Sequence, residues 1–284
     1  MKRRKLLTVV LPVSIFLIIF LSNISYSRAL YDIPETDYRA GKVMASSTPY
    51  EEVAVHHVSK IGLMVSNKGN FGYGFNKQAD PFFDEAPSCT YPFPGGGDYL
   101  FAAAFWIGAV VGRDTLVSVG ADGWYSTEEM WPDVDPFGAI QRRSTIRGDD
   151  AAISEEDFIA VYADTLCSSS SPASNAGLVV QDPRDGRPHI PLGIEVTERS
   201  FAWSYAYAED FVLFDYSIKN IGKKKLNKVY MGIYVDADVK VTRNAGEGFD
   251  DDICGFRRDI PSIQECGFID TVNIAWIADN DGRQ

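Results

Sequence analysis

Five aspartates in two short segments are the residues of this chain best suited to chemistry. Asp236 and Asp238 end an apolar segment, and Asp250, Asp251 and Asp252 follow after a glycine-containing loop. Alternate residues of a strand share a face, so the first two carboxylates can converge while the loop folds the others over them. Calcium binds carboxylate, carbonyl and water oxygens. The sequence therefore predicts a Ca²⁺ site, and an acidic loop in solvent is the alternative.

No other group of residues predicts a catalytic site. The chain has three histidines, His56, His57 and His189, and it lacks the GxSxG, HExxH, GxxxxGK[ST] and CxxC motifs. Adjacent strand residues point to opposite faces, so we expect His56 and His57 not to share a ligand. Glycoside hydrolysis needs two carboxylates, but nothing singles out a pair among 39 acidic residues. We therefore predict no catalytic residue and favour a non-catalytic protein.

The four cysteines permit two disulfide bonds. The short spacing of Cys254 and Cys266 brackets a turn-like segment and favours their pairing, which leaves Cys89 with Cys167. Free buried thiols are the alternative.

The N-terminus has the pattern of a secretory signal peptide over residues 1–27. Four basic residues precede the apolar run Leu6–Leu21, which is short for a membrane span, and Ser25 and Ser27 suit cleavage before Arg28. We expect export through the Sec pathway to the cell surface or the medium. An uncleaved anchor is the alternative, and it would be the chain's one contact with a membrane.

The overall charge and composition narrow the class of protein. The net charge of −12 disfavours binding to nucleic acid. A hydrophobic content of 45% with 24 glycines is typical of a folded, turn-rich protein. An extracellular glycan or protein partner is compatible with this surface, but the sequence does not specify one.

Two segment pairs predict β-hairpins. Tyr99–Val111 and Thr115–Val119 flank a short turn containing Gly112. Phe211–Lys219 and Lys228–Val239 flank a turn with Asn, Gly and three lysines, which we interpret as a solvated loop tip. Further alternating segments at Gly193–Arg199, Phe201–Tyr207 and Asn273–Ile277 predict strands.

One segment predicts a helix at about residues 154–166. Ser154 and Asp157 have capping-box spacing, and Phe158, Val161 and Tyr162 have helical periodicity. The predicted fold is therefore all-β, an antiparallel β-sandwich with one inserted helix. We assign 28–52 to a linker and 53–284 to the sandwich region, with a candidate subdomain boundary at the Ser-rich stretch near 168–190.

Several segments resemble the N-terminal region of large uncharacterised secreted bacterial proteins. They are Tyr99–Gly108, Gly112–Ser118, Asp215–Asn220, Val229–Asp238 and Asp250–Gly255. Many proteins of this group carry a type IX secretion sorting domain at the C-terminus, which implies secretion but supplies no catalytic residues. This chain has no sorting domain and ends in a sequence typical of the middle of a domain, so we expect it to be truncated at the C-terminus.

Two functions fit the sequence. The first is a secreted or cell-surface structural or adhesion module with a calcium-stabilised loop. The second is the non-catalytic, carbohydrate-binding N-terminal part of a secreted hydrolase. Trp124, Trp131 and Trp203 discriminate between them, since an open face of tryptophans favours carbohydrate and buried tryptophans favour a plain core. We expect the core.

Overall fold

The structure is a computed structural model that describes residues 49–72, 83, 85–122, 127–133, 137–165, 186, 188–239, 252–259 and 271–279. The predicted signal peptide and the linker up to residue 48 lie outside these ranges. Among the described residues, no helix is long and apolar enough to cross a membrane.

The part of the chain that the structure describes is all-β and contains no helix. Its strands are β1 (Val53–His56), β2 (Gly62–Ser66), β3 (Asn70–Phe71), β4 (Ser88–Tyr91), β5 (Gly97–Asp98), β6 (Leu100–Val111), β7 (Asp114–Val119), β8 (Trp131–Pro132), β9 (Gln141–Arg143), β10 (Glu156–Ala163), β11 (Ile194–Ala202), β12 (Leu213–Asn220), β13 (Leu226–Ala237), β14 (Asp252–Asp259) and β15 (Thr271–Asp279).

Strand β6 organises the larger sheet, which has eight strands in the order β13-β6-β3-β2-β4-β5, with β1 on β2 and β7 on β6. All pairings are antiparallel. The β6–β7 hairpin confirms the first sequence prediction, with Trp106 opposite Val119 and Val111 opposite Asp114. Gly112 has φ +68° in its turn, a conformation that costs glycine little.

The predicted helix at 154–166 is wrong, because this segment forms β10 in the five-stranded sheet. The capping hydrogen bonds do exist: the carboxylate of Asp157 accepts the backbone N–H groups of Ile153 and Ser154. They close a turn rather than start a helix. Strand β10 pairs with β11 along its whole length and with β8 and β9 on its other side, and this tertiary pairing overrides the local pattern.

The second predicted hairpin is also wrong. Strand β12 pairs with β11 in the five-stranded sheet, whereas β13 pairs with β6 in the eight-stranded sheet. The connection between them therefore crosses from one sheet to the other. Tyr216 of β12 stacks on Phe105 of β6 at 4.9 Å, and Phe214 packs on Phe71 at 4.7 Å. These contacts between the facing sheets determine which sheet β12 and β13 each join. The composition of the turn between the two strands carries no information about such contacts.

The predicted strand Phe201–Tyr207 is only partly formed. Strand β11 ends at Ala202, and a turn follows in which Tyr205 and Tyr207 are exposed and their rings stack at 5.5 Å. By contrast, the prediction for Asn273–Ile277 is confirmed within β15, which pairs with β14 in a separate two-stranded sheet.

The main core lies between the two large sheets. Its fully buried side chains include Phe105 and Ile107 from the eight-stranded sheet and Tyr162, Ile194 and Val196 from the five-stranded sheet. Residues before and after the Ser-rich stretch thus share one core. A smaller apolar cluster around Met64, Ala102 and Ala104 covers the outer face of the larger sheet.

Candidate functional site

Of the second predicted acidic segment the structure describes Asp252, which contacts the chain just after β13. The backbone N–H of Val239 donates a hydrogen bond to Asp252 Oδ2 at 2.9 Å. Asp236 Oδ2 accepts a hydrogen bond from the Tyr234 hydroxyl at 3.2 Å. The backbone N–H of Asp238 donates a hydrogen bond to Tyr99 O at 3.0 Å. This bond continues the pairing of β13 with β6 by one hydrogen bond. We call Asp236, Asp238 and Asp252 the acidic junction.

A fourth carboxylate belongs to this end of the molecule. Asp279 of β15 lies directly opposite Asp252 in the β14–β15 ladder. Opposed residues of such a ladder have Cβ atoms about 5 Å apart, and like charges at this distance repel. A cation would relieve that repulsion.

The described residues contain no group of three or more His, Cys, Asp or Glu side chains arranged to hold a metal ion. Asp250 and Asp251, the other two predicted ligands, lie outside the described residues. The calcium site therefore stays a prediction, to which the structure adds the contact between Val239 and Asp252.

The two cysteines that the structure describes differ in environment. Cys89 is buried, and burial raises the pKa of its thiol to about 12. Cys254 is exposed. Their predicted partners, Cys167 and Cys266, lie outside the described residues, so both pairings stay predictions.

The adjacent histidines share one carboxylate, which corrects the expectation that they point apart. Glu156 Oε2 lies 3.4 Å from His56 Nδ1, and Glu156 Oε1 lies 2.7 Å from His57 Nδ1. Strand β1 ends at His56, so the strict alternation of a strand no longer governs His57. The same carboxylate also accepts the backbone N–H groups of His57 and Val58.

His56 also contacts a serine from a distant part of the chain. Its Nε2 lies 2.8 Å from Ser200 Oγ, so Ser200, His56 and Glu156 have the order of a nucleophile, a base and an orienting acid. Burial lowers the pKa of His56 and so favours the neutral ring. Burial alone would raise the pKa of Glu156, but hydrogen bonds from both histidines lower it to about 2.

This arrangement is closed to substrates. Ser200 is 1% exposed and His56 is 0% exposed, and the His56 ring packs on Phe158 with centroids 4.3 Å apart. A nucleophilic serine must reach the reacting carbonyl and leave space for an oxyanion beside it. We interpret the three residues as a buried polar contact that ties β1 to β10 and β11.

We predict that a serine-directed fluorophosphonate probe leaves the folded protein unlabelled, because Ser200 Oγ is buried against His56. Mass spectrometry of the digested protein would measure this, with the Ser200→Ala variant as the matched control. A probe adduct on the peptide containing Ser200 would contradict the interpretation and indicate an active hydrolase.

A second buried carboxylate, Asp164, binds the backbone of the residues at the start of β11. It accepts the backbone N–H groups of Leu192, Gly193 and Ile194, and the hydroxyl of Ser118 donates to its Oδ2 at 2.8 Å. Burial raises its pKa despite these hydrogen bonds. The bonds join three strand segments, so Asp164 has a structural role.

A third carboxylate, Glu198, lies inside the sandwich core. It is 2% exposed, and it accepts a hydrogen bond from the Tyr162 hydroxyl at 2.8 Å. Tyr216 is its neighbour across the β11–β12 ladder. Burial raises the pKa of Glu198 to about 8, although the hydrogen bond from Tyr162 opposes the shift.

Two of the three tryptophans that discriminate between the functions are described, and both pack against the protein. Trp131 is half-buried beneath the Lys68 ammonium, which lies 5.0 Å from its ring centre, and its Nε1 donates to Glu128 O. Trp203 is half-buried between Phe201 and Phe211. Trp124 lies outside the described residues. The packing favours a core role for the two tryptophans over an open carbohydrate platform.

Comparisons with protein-family models, curated proteins and solved structures found no match to this chain.

Proposed function

We propose that this chain is a non-catalytic structural or adhesion module of a secreted or cell-surface protein, in which calcium stabilises the acidic junction. The observation that carries the calcium part is the hydrogen bond from Val239 N–H to Asp252 Oδ2. It brings the start of β14 to the end of β13, where Asp236 and Asp238 lie.

The burial of the candidate catalytic residues supports the non-catalytic part of the proposal. Ser200, His56 and Glu156 have the residue types for acyl transfer, but solvent does not reach the serine or the ring of His56. Asp164 and Glu198 are equally enclosed. The buried carboxylates of Glu156, Asp164 and Glu198, whose pKa values are shifted, thus join strands of the sandwich. Functional pKa shifts occur in accessible clefts.

The extracellular setting is supported by the sequence. The basic leader and apolar run of residues 1–27 predict export, and the resemblance to secreted bacterial proteins agrees with it. Outside the cell, calcium is abundant enough for sites with dissociation constants of about 10⁻⁴–10⁻³ M. A weak site at the acidic junction would therefore be occupied.

We predict that calcium raises the melting temperature of the protein. With about 5 mM calcium and a dissociation constant of about 10⁻³–10⁻⁴ M, binding to the folded state adds about 1–2 kcal/mol to the free energy of unfolding. For a chain of this size that corresponds to a shift of about 3–6 °C in a thermal melt followed by circular dichroism.

The matched variants are Asp252→Asn and Asp215→Asn. Asparagine at 252 keeps an acceptor for Val239 N–H but removes one charge from the junction, so the calcium-dependent shift should shrink. Asp215 lies on β12, where it pairs with Arg199, and its variant should keep the full shift. Superimposable melts of the unmodified protein in calcium and in chelator would refute the calcium site.

A further inference from the structure

One end of the sandwich carries positive charges that no described residue neutralises. Strand β13 begins opposite the last residue of β6, so the β6–β7 turn and the connection between β12 and β13 lie at the same end. Arg113 is exposed in the turn, and Lys223, Lys224 and Lys225 are exposed in the connection. None of the four forms an ion pair with a described residue. We call these four residues the basic end.

The connection that carries the lysines is an ordered turn. The backbone N–H groups of Ile221 and Gly222 both donate to Gly193 O at 2.9 Å. Asn220 closes the turn, since its Oδ1 accepts the N–H of Gly222 at 3.0 Å and its Nδ2 donates to Lys224 O at 2.9 Å. The lysines therefore project from a backbone that is fixed before any ligand binds.

The basic end differs in sign from the chain as a whole, whose net charge is −12. Asp114 follows Arg113 and offsets one positive charge, so an excess of positive charge is left. Lysines held together in one turn repel one another, and bound anionic groups relieve that repulsion. The basic end therefore suits a partner with several negative charges.

An exposed surface beside the basic end lies on the outer face of the eight-stranded sheet. Tyr230 of β13 is opposite Gly108 of β6, and Gly108 is opposite Val117 of β7, so the three residues share a face. Tyr230 is 73% exposed and Val117 is 49% exposed. Because Gly108 has no side chain, the surface between these two side chains is low.

The same surface continues along β13 to a pair of aromatic rings. Gly232 is on the same face as Tyr230, and a Cβ at this position would meet no atom within 4 Å beyond its chain neighbours. Tyr234 follows on that face, and its ring stacks on Trp106 with centroids 5.2 Å apart. The α-carbons of Tyr230 and Tyr234 are about 14 Å apart along the strand. The open position of Gly232 between them leaves space for a flat ring.

We propose that this surface binds an acidic polysaccharide, whose carboxylates pair with the basic end while a sugar ring packs against Tyr230. A pyranose ring has an apolar face that stacks on an aromatic side chain, and the tyrosine hydroxyl offers a hydrogen bond beside it. Duplex nucleic acid carries one charge per about 1.7 Å, a density that an acidic protein repels. A polymer with one carboxylate per sugar has a lower charge density and fits a few lysines.

The inference rests on the proposed adhesion function for its biological setting, because it names the partner of that function. The binding surface itself is separate from the acidic junction and needs no calcium. Failure of the calcium site and failure of the glycan site are therefore separate results.

Binding to polygalacturonate, which has one carboxylate per sugar, tests the proposal on the full chain. Biolayer interferometry with the immobilised polymer measures the dissociation constant in chelator, so that calcium neither bridges the polymer nor occupies the acidic junction. We expect saturable binding in about 50 mM salt and a dissociation constant at least about tenfold larger in about 500 mM salt. Dextran, a neutral polysaccharide, should bind at least about tenfold more weakly than polygalacturonate.

Two variants separate the charge from the aromatic contact. The first replaces Lys223, Lys224 and Lys225 with glutamine, and it should bind about tenfold more weakly with a smaller salt dependence. The second is Tyr230→Ala, which removes a ring and no charge, so it should bind about fivefold more weakly with the salt dependence unchanged. Circular dichroism melts verify that both variants fold.

The matched controls change exposed residues of the same types elsewhere. Arg257→Gln with Arg258→Gln removes two positive charges from β14, and Tyr207→Ala removes an 83% exposed tyrosine from the turn after β11. Both controls should bind polygalacturonate like the original protein.

A folded, unmodified protein that does not bind polygalacturonate would overturn the proposal. Full affinity in the Tyr230→Ala variant would overturn it too, because the surface would then act as a plain ion exchanger. Tighter binding to phosphatidylglycerol vesicles or to single-stranded DNA than to polygalacturonate would assign the basic end to another class of partner and refute the glycan.

Discussion

The contribution of Glu198 to the free energy of unfolding should fall steeply as pH rises from about 4.5 to about 8, because Glu198 keeps a proton in the folded protein across this range. The unfolded chain releases that proton near the ordinary glutamate pKa. Each pH unit between the two values therefore costs about 1.4 kcal/mol of stability, and the whole interval costs roughly 5 kcal/mol. Above pH 8 this loss is complete.

The cause is the position of Glu198 between two tyrosines in the core. The Tyr162 hydroxyl is one partner, and the buried Tyr216 hydroxyl has no hydrogen-bond partner among the described residues. Nothing cationic faces the carboxyl in its described surroundings. An ionised carboxylate there would lose its hydration without a compensating charge, so the neutral acid is favoured.

The Glu198→Gln variant should remove most of this dependence, since an amide keeps an acceptor for Tyr162 and does not ionise. Urea denaturation at about pH 5, 7 and 8.5 measures it, and the variant should be more stable than the original at the highest pH. Glu195→Gln, three residues earlier on β11 and on the opposite face, is the control and should leave the slope unchanged. Parallel pH profiles for original and Glu198→Gln proteins would contradict the assignment.

The Asp164→Ala variant should lose about 4 kcal/mol or more of stability. Removing this carboxylate leaves the N–H groups of Leu192, Gly193 and Ile194 and the Ser118 hydroxyl without their acceptor, and each buried unsatisfied donor costs about 1–3 kcal/mol. The loss is large because Asp164 is 0% exposed and water cannot replace it.

Urea denaturation at neutral pH measures this loss as well. Asp164→Asn keeps one acceptor oxygen, but its side-chain NH₂ group would face backbone N–H groups that also donate. The stability loss of this variant should therefore be intermediate. Asp215→Ala is the matched control, because Asp215 is more than half exposed and its ion pair with Arg199 should contribute less than about 1 kcal/mol. An Asp164→Ala protein as stable as this control would show that the entry to β11 is held by other contacts.

These two carboxylates and the Ser200–His56–Glu156 contact share a pattern. Each joins residues from separate strands, and each has little or no exposure to solvent. Polar groups of this kind fix the register of strands, since a one-residue slip would leave them unpaired.

By itself, the sequence determined the features that depend on neighbouring residues. The β6–β7 hairpin follows from two apolar segments around Gly112, and β15 follows from its alternating pattern. The all-β class follows from the sum of such short segments.

Only the tertiary structure decided the features that depend on distant partners. The segment around Phe158 satisfies a helical pattern and a strand pattern alike, and pairing with β11 selects the strand. Strands β12 and β13 have hairpin-like spacing, but Tyr216 stacks on Phe105 across the core, so the strands enter different sheets. His56 and Ser200 meet although 144 residues separate them. Local propensity contributes a few tenths of a kcal/mol per residue, whereas burying one aromatic side chain contributes about 2–3 kcal/mol, so packing between the sheets decides where local patterns are ambiguous.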